Sequence, residues 1–279
     1  MTESLKSRIG VENDLSQVSW SLREIAQVIR AGVVGGYQVT CSDEAEWECA
    51  RAFQRLFVEP LLPGLKPDSR APFRSINLGA RYEQGAIRIA EEHFAAVAAP
   101  EAANLLVVKI NAHVGVRVAG EGFEYGWMQR YDRPSPCCGT LAGLLEGKRL
   151  PALDELRETF RAGGLDRLAI LRDAARVPPP YRALLAAVAS ARLQAQRAVD
   201  DVLSHRPESP ATFLVVPCVT INRPGPDTEL VVGEYGIDWT GAAATVMYQG
   251  LGDDPAAYRV RHEFGRLHVA DDHWPARGK

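Results

Sequence analysis

Residues 105–132 read LLVVKINAHVGVRVAGEGFEYGWMQRYD, and their character alternates along the chain. Leu106, Val108, Ile110, Ala112, Val114, Val116 and Val118 fall on one side of an extended backbone; Lys109, Asn111, His113 and Arg117 fall on the other. A period of two is the mark of a strand with one apolar and one wet face. Gly120-Glu121 suits a tight turn with glycine at its first central position. Beyond it Phe123, Tyr125, Trp127 and Tyr131 alternate with Glu124, Met128, Arg130 and Asp132, so a returning antiparallel strand is expected.

A two-residue turn there fixes the pairing. Val118 comes opposite Phe123, Val116 opposite Tyr125 and Val114 opposite Trp127, while Arg117 meets Glu124, Asn111 meets Arg130 and Lys109 meets Asp132. A slip of one residue would mix the two faces. Gly115 and Gly126, inside these strands, mark places where a ligand or another backbone comes close.

Outward from the hairpin, a first helix is expected near 19–32, stopped by the glycines of GVVGG, and a core helix over 44–60 from the spacing of Trp47, Ala50, Phe53, Leu56 and Phe57. Residues 63–75 hold three prolines and a glycine and read as a surface loop. A helix follows near 80–98, with His93 at the shoulder of its apolar arc and Glu83 in its first turn. Residues 150–206 read as an Ala/Leu/Arg-rich helical layer whose last helix runs over 180–204. TFLVVPCVTIN, ELVVGEYGIDW, AATVMYQG and YRVRHEFGRLHV then read as strands. LLVVKINAHV and FLVVPCVTIN are loosely alike, as two equivalent strands of one sheet would be. The fold class that follows is α+β, a single domain over 1–279 with a mostly antiparallel sheet and helices packed on one face.

Composition bounds the function. Lys and Arg number 32 against 35 Asp and Glu, and a net charge of -3 gives no general attraction for nucleic acid or acidic membrane. No stretch approaches the roughly 18–20 apolar residues of a membrane span, and the N-terminal residues lack the apolar core of a secretory signal. Five scattered cysteines (Cys41, Cys49, Cys137, Cys138, Cys218) do not form a disulfide framework, so a cytoplasmic protein with reduced thiols is expected.

The charged hairpin face gathers His113, Lys109, Asn111, Arg117, Arg130, Glu124 and Asp132, a set able to hold a small anion or simply to face water. Directly after the hairpin, Cys137 and Cys138 precede Gly139 and the short helical run LAGLL, where free backbone amides favour a thiolate. One reading is therefore an enzyme acting on a small polar or anionic substrate. Cys137 or Cys138 serves as nucleophile or metal ligand, His113 as base or ligand, and Lys109, Asn111, Arg117 and Arg130 hold the anion. Zinc fits His113, Cys138 and Cys218 with water in the fourth position. No CxxC, HExxH or Cys-x-Asp-x-Arg signature is present, nor any GxGxxG, GxxxxGK[ST] or GxSxG. The alternative is a non-catalytic binding or assembly protein, a homo-oligomer included, using the charged hairpin face and the 180–204 helix. Glu234 and Asp238 share one strand face, and His262, His268 and His273 show no ligand spacing.

Overall fold

The computed structural model describes residues 33–46, 50–51, 53–54, 66–67, 72–95, 104–119, 122–130, 133–148, 182–222, 228–232, 235–239 and 245–249. In chain order these form β1 (Val33–Cys41), a 3-10 turn (Glu44–Glu46), β2 (Lys66–Pro67), β3 (Phe73–Asn77) and α1 (Ala86–Ala95). Next come β4 (Asn104–Ala119), β5 (Gly122–Tyr125), β6 (Trp127–Arg130), β7 (Arg133–Pro136), α2 (Gly139–Leu145) and α3 (Arg182–Ser204). The C-terminal strands are β8 (Ala211–Asn222), β9 (Thr228–Val231), β10 (Tyr235–Asp238) and β11 (Thr245–Gln249).

The sheet corrects the expected fold class. Its centre is parallel: β1 runs parallel to β2, β3 and β4, and β4 runs parallel to β8 over twelve paired positions, Asn104↔Ala211 to Gly115↔Asn222. Antiparallel pairs lie at its margins, where β5 joins β4, β9 and β10 join β8, and β11 joins β10. This is an α/β sheet, not a mostly antiparallel one. The two loosely alike segments are indeed strand neighbours, β4 and β8, lying side by side in the same direction.

The mistaken direction has a physical cause. Alternation usually signals a strand with one wet face, but β4 is an interior parallel strand and must be covered on both sides. Its apolar face packs on helices: Leu106, Val108 and Ile110 share a core with Ile87, Ala90 and Phe94 of α1, Ala195, Ala198, Val199 and Val202 of α3, and Phe213 and Val215 of β8. On its polar face Lys109, Asn111 and His113 are all 2% exposed or less. The face is thus interior over Lys109–His113, whereas Arg117 and Glu124, each 32% exposed, lie toward the surface.

The hairpin holds for four pairs, Ala119↔Gly122 to Val116↔Tyr125, with Arg117 beside Glu124. There the expected pairing ends. Gly126 takes φ +97, and β6 turns away to pair with β7 in a separate two-stranded sheet, Trp127↔Pro136 to Arg130↔Arg133. The pairs expected of Val114 with Trp127 and of Asn111 with Arg130 give way to the β6–β7 pairing. Asp132, expected beside Lys109, lies outside the described residues, and β4 is instead flanked by β1 over Leu105–Asn111 and by β8 over Asn104–Gly115.

Gly35 and Gly36, expected as the stop of a helix near 19–32, lie inside β1. A Cβ on Gly35 would lie 2.5 Å from the Phe94 ring, so this glycine lets a helix approach a strand. β3 falls partly in the segment read as a loop, and the helix expected over 80–98 is observed as Ala86–Ala95. The 180–204 helix is observed as Arg182–Ser204. The helix near 19–32, the helical residues 150–181 and the YRVRHEFGRLHV strand lie outside the described residues.

Candidate metal centre

From β1 the chain goes to β3 on one side of β1 and then to β4 on the other, so the order reverses at the β1/β4 boundary. In α/β sheets the crevice past the carboxyl ends of strands at such a reversal is where ligands bind. Cys41 is the last residue of β1, and the β1–β4 pairing ends at Thr40↔Asn111, which leaves His113 two residues further along β4 in that crevice.

The second cysteine pair is brought there by a close approach of backbones. Gly115 N–H donates to Cys137 O at 2.8 Å, Gly126 N–H to Gly115 O at 2.8 Å, and Cys137 N–H to Gly126 O at 2.9 Å. A Cβ on Gly115 would stand 2.8 Å from the Trp127 backbone and 2.9 Å from Cys137 Cβ. Both interior glycines therefore serve the segment that carries Cys137 and Cys138. Cys138 is the N-cap of α2, and Ala142 N–H closes the first turn on its carbonyl at 2.9 Å.

Cys41, His113 and Cys138 are all buried, and their ligand atoms lie within 4.8 Å of one another. Cys41 Sγ and Cys138 Sγ are 3.7 Å apart. Two sulfurs on one tetrahedral zinc at about 2.3 Å each are separated by about 3.8 Å, whereas a disulfide closes to about 2.05 Å. His113 Nε2 is buried without a hydrogen-bond partner and stands 3.9 Å from Asp43 Oδ2. Two thiols, an imidazole nitrogen without a partner and a nearby carboxylate make a donor set that fits zinc. Asp43, His113 and Cys137 form a second close group that shares the same imidazole.

The surroundings favour charge on one sulfur. The hydrogen bond with Cys41 pulls the Cys138 thiol below its ordinary range against the effect of burial, and the Leu141 and Thr140 amides add to this. Cys41 is pushed up to about 12 by its contact with Cys138 and by burial. It also accepts from Gly79 N–H at 3.4 Å. Burial works to lower the His113 pKa, but the nearby Cys137 and Cys41 thiols and the Glu46 carboxylate outweigh it and raise it.

Behind the imidazole lies a buried polar row. Glu46 Oε2 accepts from Thr40 Oγ1 at 3.1 Å and from Asn111 Nδ2, and Asn111 Nδ2 also donates to Thr220 Oγ1 at 2.9 Å. Glu46 Oε1 is 3.9 Å from His113 Nδ1. Burial pushes the Glu46 carboxyl up to about 7, although His113, Lys109, Thr40 and Asn111 all act to lower it. The Lys109 ammonium lies 5.5 Å from the centre of the Phe53 ring, which covers this face.

Of the residues singled out from sequence, His113, Cys137, Cys138, Lys109 and Asn111 meet around this crevice. Cys218 is buried on β8 beside Asn111, with its Sγ 3.7 Å from Val216 O, and belongs to neither close group. Arg117 makes a two-bond pair with Glu124, 2.8 and 2.6 Å, and stacks 5.2 Å over Trp127. The Arg130 side chain, Glu234, His262, His268 and His273 lie outside what is described. Asp238 accepts from Thr212 Oγ1, exposed His93 lies against Phe73, and exposed Glu83 is 4.0 Å from Arg81.

Sequence reasoning passed over Cys41, Asp43, Glu46 and Asn222. Tyr37, Val39 and Cys41 alternate with Gln38 and Thr40, a strand signal ending at Cys41-Ser42-Asp43. The neighbouring glycines masked it.

No protein-family model matches the chain, and no curated protein does. Among solved structures, PtLCIB4, a homolog of the limiting CO2-inducible protein LCIB, aligns over 86% of this chain and 94% of its own at 14% identity, TM-score 0.60. Limiting CO2-inducible protein LCIB aligns over 84% of this chain and 92% of its own at 10% identity, TM-score 0.50. At such identities the likeness is one of fold. The β-carbonic anhydrase CcaA aligns at a TM-score of 0.36, over 73% of this chain and 82% of its own at 15% identity, too low a score to bear on the fold.

Proposed function

We propose that this protein is a zinc enzyme that adds water to a small electrophile, with carbon dioxide the first substrate to try. The observation that carries the reading is the placement of Cys41 Sγ and Cys138 Sγ 3.7 Å apart around a buried His113 Nε2 without a hydrogen-bond partner. Cys41, Cys138 and His113 would hold the ion. Bound zinc supplies Lewis acidity, which lowers the pKa of water into the neutral range. Three protein ligands with one position for water is the pattern of catalytic rather than structural zinc. Carbon dioxide comes from the names of the fold neighbours, which call LCIB limiting CO2-inducible.

The chain's own groups divide the remaining work. Asp43 Oδ2, at the mouth of the site and with its side chain 14% exposed, accepts a hydrogen bond from the attacking water and keeps it oriented. Lys109 supplies positive potential from the buried row, which favours a small anionic product such as bicarbonate. Asn111 holds Glu46 in place rather than touching substrate, since its amide nitrogen is engaged by Glu46 and Thr220. Arg117, already matched by Glu124, stays outside this set. Cys137 is turned to the other ring nitrogen, 3.5 Å from Nδ1, and is left out of the ligand set.

Elemental analysis of the purified protein tests the metal, and stopped-flow CO2 hydration with a pH indicator tests the reaction. About one zinc per chain is expected in the wild type and in Cys218→Ser, with near-complete loss in Cys41→Ser, Cys138→Ser and His113→Ala. Zinc retained in all three ligand variants, or absent from the wild type, overturns the metal reading.

A second reading has its own observation. Asp43 Oδ2, 3.9 Å from His113 Nε2, could close the coordination shell, and closed four-ligand sites are structural. Asp43→Ala separates the two. A structural site loses much of its zinc affinity and thermal stability, while a catalytic one keeps its zinc and loses hydration rate.

A further inference from the structure

Asn222 is the last residue of β8, opposite Gly115, and is 1% exposed. Its amide reaches in two directions. Nδ2 donates to the Ala45 carbonyl at 3.0 Å, and because a carbonyl can only accept, the NH2 end of the amide is fixed on that side. The oxygen is thereby turned toward the imidazole. Oδ1 lies 2.9 Å from His113 Nδ1, a normal hydrogen-bond length.

An amide oxygen cannot donate, so Nδ1 carries the hydrogen of that bond and Nε2 is the nitrogen left for a metal. Competing partners for Nδ1 are poorer. Glu46 Oε1 stands 3.9 Å away and Cys137 Sγ 3.5 Å, and the Cys137 thiol itself leans on the same Asn222 oxygen at 3.5 Å. Nε2, on the side of Asp43, has no hydrogen-bond partner. The other arm of the amide holds Ala45, between Asp43 and Glu46 in the segment that follows Cys41.

We infer that Asn222 is the positioning residue of the centre, orienting the His113 ring with Nε2 toward the metal while tying the Cys41–Glu46 segment to β8. This rests on the metal reading above and deepens it. Partners of the non-ligating nitrogen fix the ring and its hydrogen, and their removal typically costs 10–100-fold in metal affinity. Nothing in the sequence marks the residue, since it lies 109 positions from His113.

The test compares wild type with Asn222→Ala by zinc competition against a chromophoric chelator, and reads His113 in the zinc-loaded wild type by long-range 1H–15N correlation. Expected results are a 10–100-fold weaker zinc affinity in a variant whose circular dichroism is unchanged, and a wild-type spectrum with the proton on Nδ1 and the metal on Nε2. Affinity within twofold of wild type overturns the inference. So does metal on Nδ1, a readout that decides the matter even if the variant fails to fold. A wild type that takes up no zinc overturns the metal reading and this inference together, whereas a zinc-binding wild type matched by Asn222→Ala overturns this inference alone.

Discussion

Glu46 is a carboxyl group without access to water, and its position sets a clear expectation at the scale of one residue. Burial pushes its pKa up to about 7. A raised carboxyl pKa means that the folded chain prefers the neutral form, so this stabilisation is complete below the ordinary value near 4.5 and is lost as pH rises toward about 7. Metal-free wild type is therefore expected to lose stability across that window, by up to about 3 kcal/mol. Glu46→Gln, which keeps an oxygen for Thr40 and Asn111 but cannot ionise, should flatten the slope. Urea unfolding at intervals between pH 4.5 and 7.5 measures the difference; parallel curves for the two proteins would show that Glu46 is not the titrating group. His113, Lys109 and Asn111 were legible as a chemical set because they share one parity in a strand. Glu46 was not, because its place over that strand depends on a turn whose direction local sequence does not encode.

At the scale of elements, Gly35, expected in a helix stop, and Gly115, expected at a close approach, both serve packing. Gly35 sits inside β1 to admit the Phe94 ring, and Gly115 sits inside β4 to admit the backbone that brings in Cys137 and Cys138. Gly115→Ala would place a methyl group 2.8 Å from the Trp127 backbone, which is too close to be absorbed by a side-chain rotation. Overpacking of this kind costs about 1–3 kcal/mol. The variant should melt lower, and its zinc affinity should fall because Cys138 moves with the displaced segment. Differential scanning calorimetry and the chelator competition check the two effects, and an unchanged zinc affinity would separate Gly115 from the site. The hairpin itself was legible for its first four pairs, where local turn chemistry fixes the register. It failed beyond Tyr125 because Gly126, with φ +97, turns the chain out, and β1 and β8 take the two sides of β4.

For the whole molecule, the proposed centre joins residues 41, 113 and 138, so a bound ion would cross-link β1, β4 and the start of α2. An ion that binds the folded chain alone stabilises it by about 2.7 kcal/mol at one hundred times its Kd. At roughly 2–4 °C per kcal/mol for a chain of this size, removing zinc with a chelator should lower Tm by about 5–10 °C, and restoring zinc but not magnesium should recover it. A Tm indifferent to chelator would leave the cluster without an ion. No helix among the described residues is long and apolar enough to cross a membrane. By itself the sequence determined what neighbours along the chain determine: the alternation of β4, the pairing of Ala119 with Gly122, the long helix that ends at Ser204, and the chemical character of His113 and of the adjacent Cys137 and Cys138. Tertiary structure alone decided that the sheet is parallel at its centre, that Lys109, Asn111 and His113 lie inside, and that Cys41 rather than Cys218 meets His113 and Cys138. The physical reason is range. Periodicity and turn chemistry act over a few residues, while strand order and the meeting of positions 41, 113, 138 and 222 are set by which covered faces bury the most surface together, a property that no local window of the chain contains.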